Sequence, residues 1–186
     1  MRRTSSVVPT VFLTVLLAAG LAVSGPGPAS AKPHPTHARV HDRSGDAPAG
    51  IDLVSGTYGI NRKQATFTAK VRKLTDTTFL AFEIWPLTDA WDRLAVFKEN
   101  GKVVGRVYFV DNSLEDSDQP VPHLVRCRGL QVRWHQASGS VSVVWPQSCR
   151  QASRPSTLPF EFRVFSRVGG VRNPPHDSLP ARTLGF

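Results

Sequence analysis

Apolar and polar residues alternate along much of this chain, with the period of two that is typical of half-buried β-strands. The clearest run is Ala65–Val71, where every second residue is apolar and the residues between them are polar or basic. Similar alternation recurs in Leu80–Ile84, Leu130–Trp134, Val141–Trp145 and Phe160–Val164. Turn-forming residues separate these runs. The pattern predicts an all-β fold, a single antiparallel β-sandwich of about eight strands.

Two residues between the predicted strands Trp91–Glu99 and Lys102–Val110 carry the strongest turn signal in the chain. They are Asn100 and Gly101, which are residue types that tolerate the positive φ angles of a type I′ turn. We expect a two-residue hairpin here, with the two strands paired directly across it.

The chain has two cysteines, Cys127 and Cys149, with a predicted hairpin between them. If they paired directly across this hairpin, the apolar residues of its two arms would point to opposite faces. A shift of one residue brings them to one face, because side chains alternate with a period of two. We therefore expect a disulfide that is accommodated by a bulge in one arm or by cysteines that meet diagonally. Two buried free thiols are the alternative.

The N-terminus has the three parts of a secretory signal peptide. Arg2 and Arg3 precede the apolar stretch Val7–Val23, and the triplet Ala-Ser-Ala at 29–31 fits a cleavage site of small residues. We expect residues 1–31 to be removed on export, which leaves a secreted, extracellular protein without a transmembrane anchor. The predicted disulfide agrees with export, because disulfides persist in oxidising compartments.

The rest of the chain divides into three parts. Residues 32–41, rich in histidine and proline, are expected to form a flexible N-terminal arm. Residues 42–168 contain the predicted strands and are expected to form the β-sandwich domain. Residues 169–186, which include several prolines, are expected to be a loose C-terminal tail or to cover one sheet edge.

Three acidic residues, Asp42, Asp46 and Asp52, lie close together in sequence at the entry to the first predicted core strand. Carboxylates that a turning backbone brings together suit a hard cation such as calcium, which takes oxygen ligands. Their spacing differs from that of an EF-hand loop. The alternative is that Asp42 and Asp46 cap turns through hydrogen bonds to the backbone.

The opening Asp-x-x-Gly-Asp at 42–46, followed by Ile-Asp-Leu at 51–53, resembles the start of secreted actinobacterial β-sandwich proteins of the carbohydrate-binding family 9 or DOMON-like type. The segments around Cys127 and Cys149 are similar to a disulfide-linked pair of strands in many such proteins. The resemblance spans residues 42–168. It implies a β-sandwich, and it implies calcium ligands at Asp42, Asp46 and Asp52.

Basic residues outnumber acidic ones, with 23 Lys and Arg against 14 Asp and Glu and a formal net charge of +9. A basic exported protein favours anionic partners, which here means a cell-envelope polymer, a glycan or another secreted protein. We expect no nucleic-acid partner, because export removes most nucleic acids and phosphate contacts alone are unspecific. A charge surplus that serves only solubility is the alternative.

No catalytic motif is evident in the sequence. It contains no nucleophile-elbow serine, no phosphate-binding glycine loop and no zinc-ligand spacing, and both cysteines are assigned to the disulfide. We therefore expect that the protein is not an enzyme and has no catalytic residues. The alternative is a secreted hydrolase that uses His123 or His135 with a remote acid, because catalytic triads assemble from distant residues.

Trp85 and Trp91 flank a predicted loop, and together with Tyr108 they are the candidate ligand-binding residues. An exposed aromatic ring can cover the apolar face of a sugar, so these side chains would suit a glycan. The alternative is that the rings pack in the core or as a lid, because tryptophan usually buries most of its surface. The sequence thus favours a secreted, non-catalytic β-sandwich that binds an envelope polymer, a glycan or another exported protein.

Overall fold

The computed structural model describes residues 35–86, 90–111, 121–152, 159–170 and 174–185. These segments contain β-strands that form two antiparallel sheets packed as a sandwich, which confirms the predicted fold class. In chain order the strands are β1 (His37–His41), β2 (Leu53–Ile60), β3 (Gln64–Val71), β4 (Thr78–Trp85), β5 (Ala90–Glu99), β6 (Lys102–Asp111), β7 (Val121–Val125), β8 (Gln131–His135), β9 (Ser140–Pro146), β10 (Phe160–Val168) and β11 (His176–Leu184).

The strand order decides which side chains become neighbours. Sheet A has the order β1-β2-β3-β9-β8, and sheet B has the order β11-β10-β4-β5-β6-β7. The last two strands of the chain therefore extend sheet B on the side of β4. As a result, β4 lies between β10, which is distant in sequence, and β5, which follows it directly.

The core lies between the two sheets and consists of the residues that the alternation places on one face. Burial of these apolar side chains is the main favourable term in folding. The inward residues of β3, β4, β9 and β10 are buried, and they include Ala65, Phe67, Ala69, Val71, Leu80, Phe82, Ile84, Val141, Val143, Trp145, Phe160, Phe162 and Val164.

The hairpin between β5 and β6 forms as predicted. Asn100 has a φ of 50° and Gly101 a φ of 74°, the pair of positive angles that a type I′ turn requires. Pairing begins directly at the turn, with Glu99 opposite Lys102.

The disulfide between Cys127 and Cys149 is present, with the two Cα atoms 5.0 Å apart. The strands β8 and β9 pair with Val132 opposite Val143, which is the one-residue shift that brings the apolar residues of both arms to one face. The paired residues of the two arms follow without a bulge. A short 3-10 helix, Gln147–Cys149, follows β9. The offset between the cysteines is therefore accommodated beyond the strand ends.

Both terminal segments contain strands, where the sequence predicted a flexible arm at the N-terminus and a loose tail or an edge cover at the C-terminus. The predicted flexible arm contains β1, which pairs with β2 and buries Val40. The predicted loose tail contains β11, which pairs with β10 and buries Leu179 and Leu184. Both are edge strands of mostly polar sequence, and β11 includes Pro180, which an edge strand tolerates. Pairing with a neighbouring strand orders them, so the described chain has more strands than the alternation predicted.

The predicted signal peptide, residues 1–31, lies outside the described residues. Among the residues that are described, no helix has the length and apolar character needed to cross a membrane.

Candidate ligand-binding face

The outer face of sheet B carries aromatic and basic side chains, in contrast to its apolar inner face. The alternation that buries one face of β4 turns the other set of residues outward, namely Phe79, Ala81, Glu83 and Trp85. Their partners on β10 are, in the same order, Arg167, Phe165, Arg163 and Glu161. Directly opposed residues of antiparallel strands share a face. The two strands therefore place these eight side chains side by side.

Trp85 lies in a stack of four side chains at one end of this face. Its ring centre is 4.1 Å from that of Trp91, and the two ring planes are 8° apart. The Arg163 guanidinium lies 4.5 Å from the centre of the Trp85 ring, and the Arg93 guanidinium lies 5.9 Å from that of Trp91. Because β4 lies between β10 and β5, Arg163 and Trp91 approach Trp85 from opposite sides. We call these four residues the tryptophan stack.

Glu83 lies beside the tryptophan stack and is only 2% exposed, although it belongs to the outer face of the sheet. Its carboxylate accepts a hydrogen bond of 2.8 Å from Nε1 of Trp85 and one of 2.6 Å from Nε of Arg93. Hydrogen bonds to a charged acceptor are stronger than those between neutral groups. Glu83 therefore fixes both Trp85 and Arg93. Arg163 pairs with Glu161 instead, at 2.6 Å.

A second stack lies at the other end of the face and has the same order of groups. The rings of Phe79 and Phe97 have centres 5.6 Å apart and planes 16° from parallel. Arg167 lies 4.2 Å from the centre of the Phe79 ring, and Arg106 lies 5.2 Å from that of Phe97. We call these four residues the phenylalanine stack. Arg106 also pairs with Glu99, whereas Arg167 forms no ion pair with an acid among the described residues.

A cleft of about 390 Å³ extends between the two stacks. The row of residues between the stacks contains Ala81 and, opposite it on β5, Ala95, whose small side chains leave the surface low. Phe165 stands beside Ala81 on the β10 side. The residues that line the cleft are Phe79, Ala81, Glu83, Trp85, Trp91, Arg93, Arg163, Phe165, Ser166, Arg167 and His176. The cleft is thus both aromatic and basic.

The structure brings two of the three candidate ligand-binding residues together. Trp85 and Trp91 stack on each other and both line the cleft. Trp91 is only 5% exposed, and the two faces of Trp85 are covered by Trp91 and Arg163. Tyr108 lies on β6 opposite Arg93, on the same sheet face but outside the cleft. A ligand-binding role for these three residues stays a prediction.

The carboxylates of Asp42, Asp46 and Asp177 lie together, with one oxygen of each within 4.8 Å of the others. Asp52 does not belong to this group. It is fully buried, its Oδ2 pairs with Nε of Arg72 at 2.8 Å, and the same oxygen accepts a hydrogen bond from the backbone of Gly45. The group therefore contains two of the three predicted calcium ligands and a third residue from the C-terminal strand. Calcium binding stays a prediction.

Asp177 is held in an environment that disfavours its charge. Burial raises the pKa of its carboxyl group, and the negative charges of Asp42 and Asp46 raise it further. Hydrogen bonds from the backbone of Leu53 and Ser178 act in the opposite direction. A bound cation would remove the repulsion, because a nearby opposite charge favours the ionised carboxylate.

The two histidines of the hydrolase alternative lie apart from the cleft. His123 is exposed on β7, an edge strand of sheet B, and His135 is exposed at the end of β8, an edge strand of sheet A. Neither lines the cleft between the stacks.

Phe165, Arg163 and Arg167 were not among the residues that the sequence singled out. A signal for them was present, because placing Phe162 and Val164 in the core turns the odd-numbered residues of the strand outward by the period of two. The outward sequence is then Arg163, Phe165 and Arg167. Their meeting with Trp85 and Phe79 depends on the pairing of β10 with β4, which local sequence does not encode.

The chain was compared with models of known protein families, with curated proteins and with solved structures, and none of the three comparisons gave a match.

Proposed function

We propose that this protein is an exported, non-catalytic binding protein that holds an anionic cell-envelope polymer or glycan on the outer face of sheet B. The location rests on the N-terminal leader pattern in the sequence and on the disulfide between Cys127 and Cys149, a bond that is typical of exported proteins.

The observation that carries the proposal is the concentration of arginines around the cleft. Arg93, Arg163 and Arg167 line the cleft, and the acid that lines it with them is Glu83. Each of the three guanidinium groups lies against an aromatic ring. Such packing restricts a long side chain before the ligand arrives, and pre-organised groups lose less entropy on binding.

Guanidinium groups recognise carboxylates, sulfates and phosphates, because their planar N–H fork matches two oxygens of such a group. The opposite charge of an anionic polymer also accelerates the encounter at low salt. The cleft thus suits a ligand that carries repeated negative charges. A hydrolase centred on His123 or His135 is the alternative, and the binding function has the better support because both imidazoles lie outside the cleft.

The proposal is tested by binding of the purified, disulfide-containing protein to three immobilised polymers. These are a polyuronate, a glycerol phosphate polymer and a neutral β-glucan. We expect retention on one or both anionic polymers, release by salt, and no retention on the neutral glucan. The double variant R163Q/R167Q should weaken binding about tenfold or more, an effect that corresponds to about 1.4 kcal/mol.

The control is the double variant R62Q/K63Q, which removes the same charge from an exposed turn of sheet A. It should weaken binding by less than about twofold at moderate salt, because distant exposed charges are screened. Absence of retention on both anionic polymers would overturn the proposal. Equal weakening by the two double variants would also overturn it, since binding would then follow net charge and not the cleft.

A further inference from the structure

We infer that Phe165 is the ring on which the ligand lies, and that the cleft takes an acidic sugar of the uronic acid type, with its carboxylate bound by Arg163 or Arg167. This inference rests on the proposed function and names the sugar class and the ring that contacts it.

Phe165 differs from the other large aromatic residues of the cleft in what lies beside it. Trp85 and Phe79 each lie between a ring and a guanidinium, so their faces are occupied. The cross-strand neighbours of Phe165 are Ala81 on β4 and Ser178 on β11, both too small to cover a phenyl ring. Among the described residues, no other ring or guanidinium packs against Phe165, and its side chain is half-buried.

An open ring in a polar groove is suited to the apolar face of a pyranose, because burial of the ring and of the sugar C–H groups removes apolar surface from water. The same ring lines two adjoining depressions of the surface. One is the cleft between the stacks, and the other lies toward β11 and includes Ser178 and Pro180. Phe165 therefore stands between them with surface exposed on both sides.

The charges lie along the same strand as the ring. Arg163 and Arg167 are two residues before and two residues after Phe165, on the same face of β10. Four residues of extended strand span about 13 Å, so the two guanidinium groups flank the ring along the strand. His176 lies directly opposite Arg167 and adds a polar group at that end of the cleft.

The binding surface along β10 is longer than one sugar unit. Arg167 and Phe79 also line a third depression, which includes Thr77 and Lys98. The cleft and the third depression share Arg167 and Phe79, whereas the second depression lies beside the cleft, across Phe165, and also contains the acids Asp42 and Glu161. The cleft and the third depression together suit more than one unit of an anionic chain, with one sugar on Phe165.

The test uses three soluble probes and calorimetry on the full disulfide-containing protein. Oligogalacturonate carries ring and charge, its methyl ester carries the ring without charge, and poly-L-glutamate carries charge without a sugar ring. We expect Phe165→Ala and Phe165→Leu to weaken oligogalacturonate binding about tenfold. Phe165→Tyr keeps an aromatic ring and should retain the affinity of the unsubstituted protein. The methyl ester should bind weakly to every variant, because its carboxylates are blocked.

The matched control is Leu124→Ala, which removes an exposed apolar side chain from the same sheet face outside the cleft, since Leu124 lies opposite Tyr108 on β7. It should leave oligogalacturonate affinity unchanged within about twofold, and thermal melts of all variants should confirm the fold. The expected weakening by Phe165→Ala and Phe165→Leu should be absent with poly-L-glutamate, which has no sugar to place on the ring.

Three results would overturn the inference, and only the last of them would overturn the proposed function as well. If Phe165→Leu binds oligogalacturonate as the unsubstituted protein does, while R163Q/R167Q binds it weakly, the site recognises charge alone and only the inference fails. If poly-L-glutamate or a glycerol phosphate polymer binds and oligogalacturonate does not, the proposed function holds and the sugar class is wrong. If none of the anionic probes binds, both fail.

Discussion

Glu83 and Arg93 form an ion pair on the outer face of a sheet, yet one of the partners is buried. The carboxylate oxygen lies 2.6 Å from Nε of the guanidinium, and the side chains are 2% and 39% exposed. Glu83 also accepts the indole N–H of Trp85. Trp85 and Arg93 of the candidate binding face are therefore held by one buried acid.

Glu83→Gln tests this arrangement. We expect it to lower the free energy of unfolding by about 1–3 kcal/mol, because a charged hydrogen-bond acceptor for two donors is replaced by a neutral amide. Chemical denaturation measures the change. Glu99→Gln is the matched control on the same sheet, since Glu99 pairs with Arg106 at the surface, and exposed pairs contribute less than about 1 kcal/mol. Equal losses from the two substitutions would contradict the structural role of Glu83.

The disulfide between Cys127 and Cys149 closes a loop with a sequence separation of 22 residues. Replacement of both cysteines by alanine should lower the free energy of unfolding by about 3 kcal/mol, because an open chain gains entropy in the unfolded state. Denaturation with and without reductant measures this. The reductant should have no effect on the double variant, and an equal effect on both proteins would contradict the prediction.

Calcium should raise the melting temperature if Asp42, Asp46 and Asp177 share the ion. A ligand that binds only the folded state stabilises it by an amount that grows with ligand concentration, about 2.7 kcal/mol at one hundred times the dissociation constant. Chelator should reverse the shift, and Asp46→Asn should reduce it. Asp76→Asn removes an acid that pairs with Lys98 elsewhere and should leave the shift unchanged. Equal melting temperatures in calcium and in chelator would show that the three carboxylates do not bind calcium.

The calcium effect should depend on pH in a defined direction. Burial raises the pKa of Asp177, so the folded state binds this proton more readily than the unfolded state. The stability that Asp177 contributes is therefore present below the unfolded pKa and lost as the pH rises through the folded pKa. Calcium competes with that proton. We expect the calcium-induced shift in melting temperature to decrease as the pH falls toward about 4, and an increase would contradict this account.

Because Tyr58 is buried, we expect the free energy of unfolding to fall at alkaline pH. Its hydroxyl donates a hydrogen bond to the carbonyl oxygen of Pro180, and burial raises its pKa above the ordinary value of 10.0. The unfolded chain therefore loses this proton first, and the stability that Tyr58 contributes falls as the pH rises above the unfolded value. Urea unfolding at about pH 8, 10 and 11.5 should show this fall.

Tyr58→Phe is the control for the alkaline effect. It should cost about 1 kcal/mol near neutral pH, because one hydrogen bond between the two sheets is lost. The decline in stability above about pH 10 should then be smaller than in the unsubstituted protein. An unchanged decline would show that other groups cause it.

The elements that the sequence predicted correctly depend on neighbours in the chain. The inward residues of β3 and β4 follow from period-two alternation, and the turn at Asn100 and Gly101 follows from the φ angles these residues tolerate. The shift in the β8–β9 register also follows, because only one pairing places both sets of apolar residues on one face. The edge strands β1 and β11 were missed. β1 is short and has Ala38 and Val40 as its only apolar residues, and β11 contains Pro180 and lacks strict alternation, so pairing with a neighbouring strand orders both.

By itself, the sequence determined the fold class, the faces of the central strands, the hairpin at Asn100 and Gly101 and the cysteine pair, since local sterics and alternation encode them. Only the tertiary structure decided that β10 lies beside β4, and with it the meeting of Arg163 with Trp85 and the open position of Phe165. It likewise decided that Asp177, and not Asp52, joins Asp42 and Asp46. The reason is physical: pairing between strands distant in sequence is selected by the packing of the whole core, so no local segment contains the information.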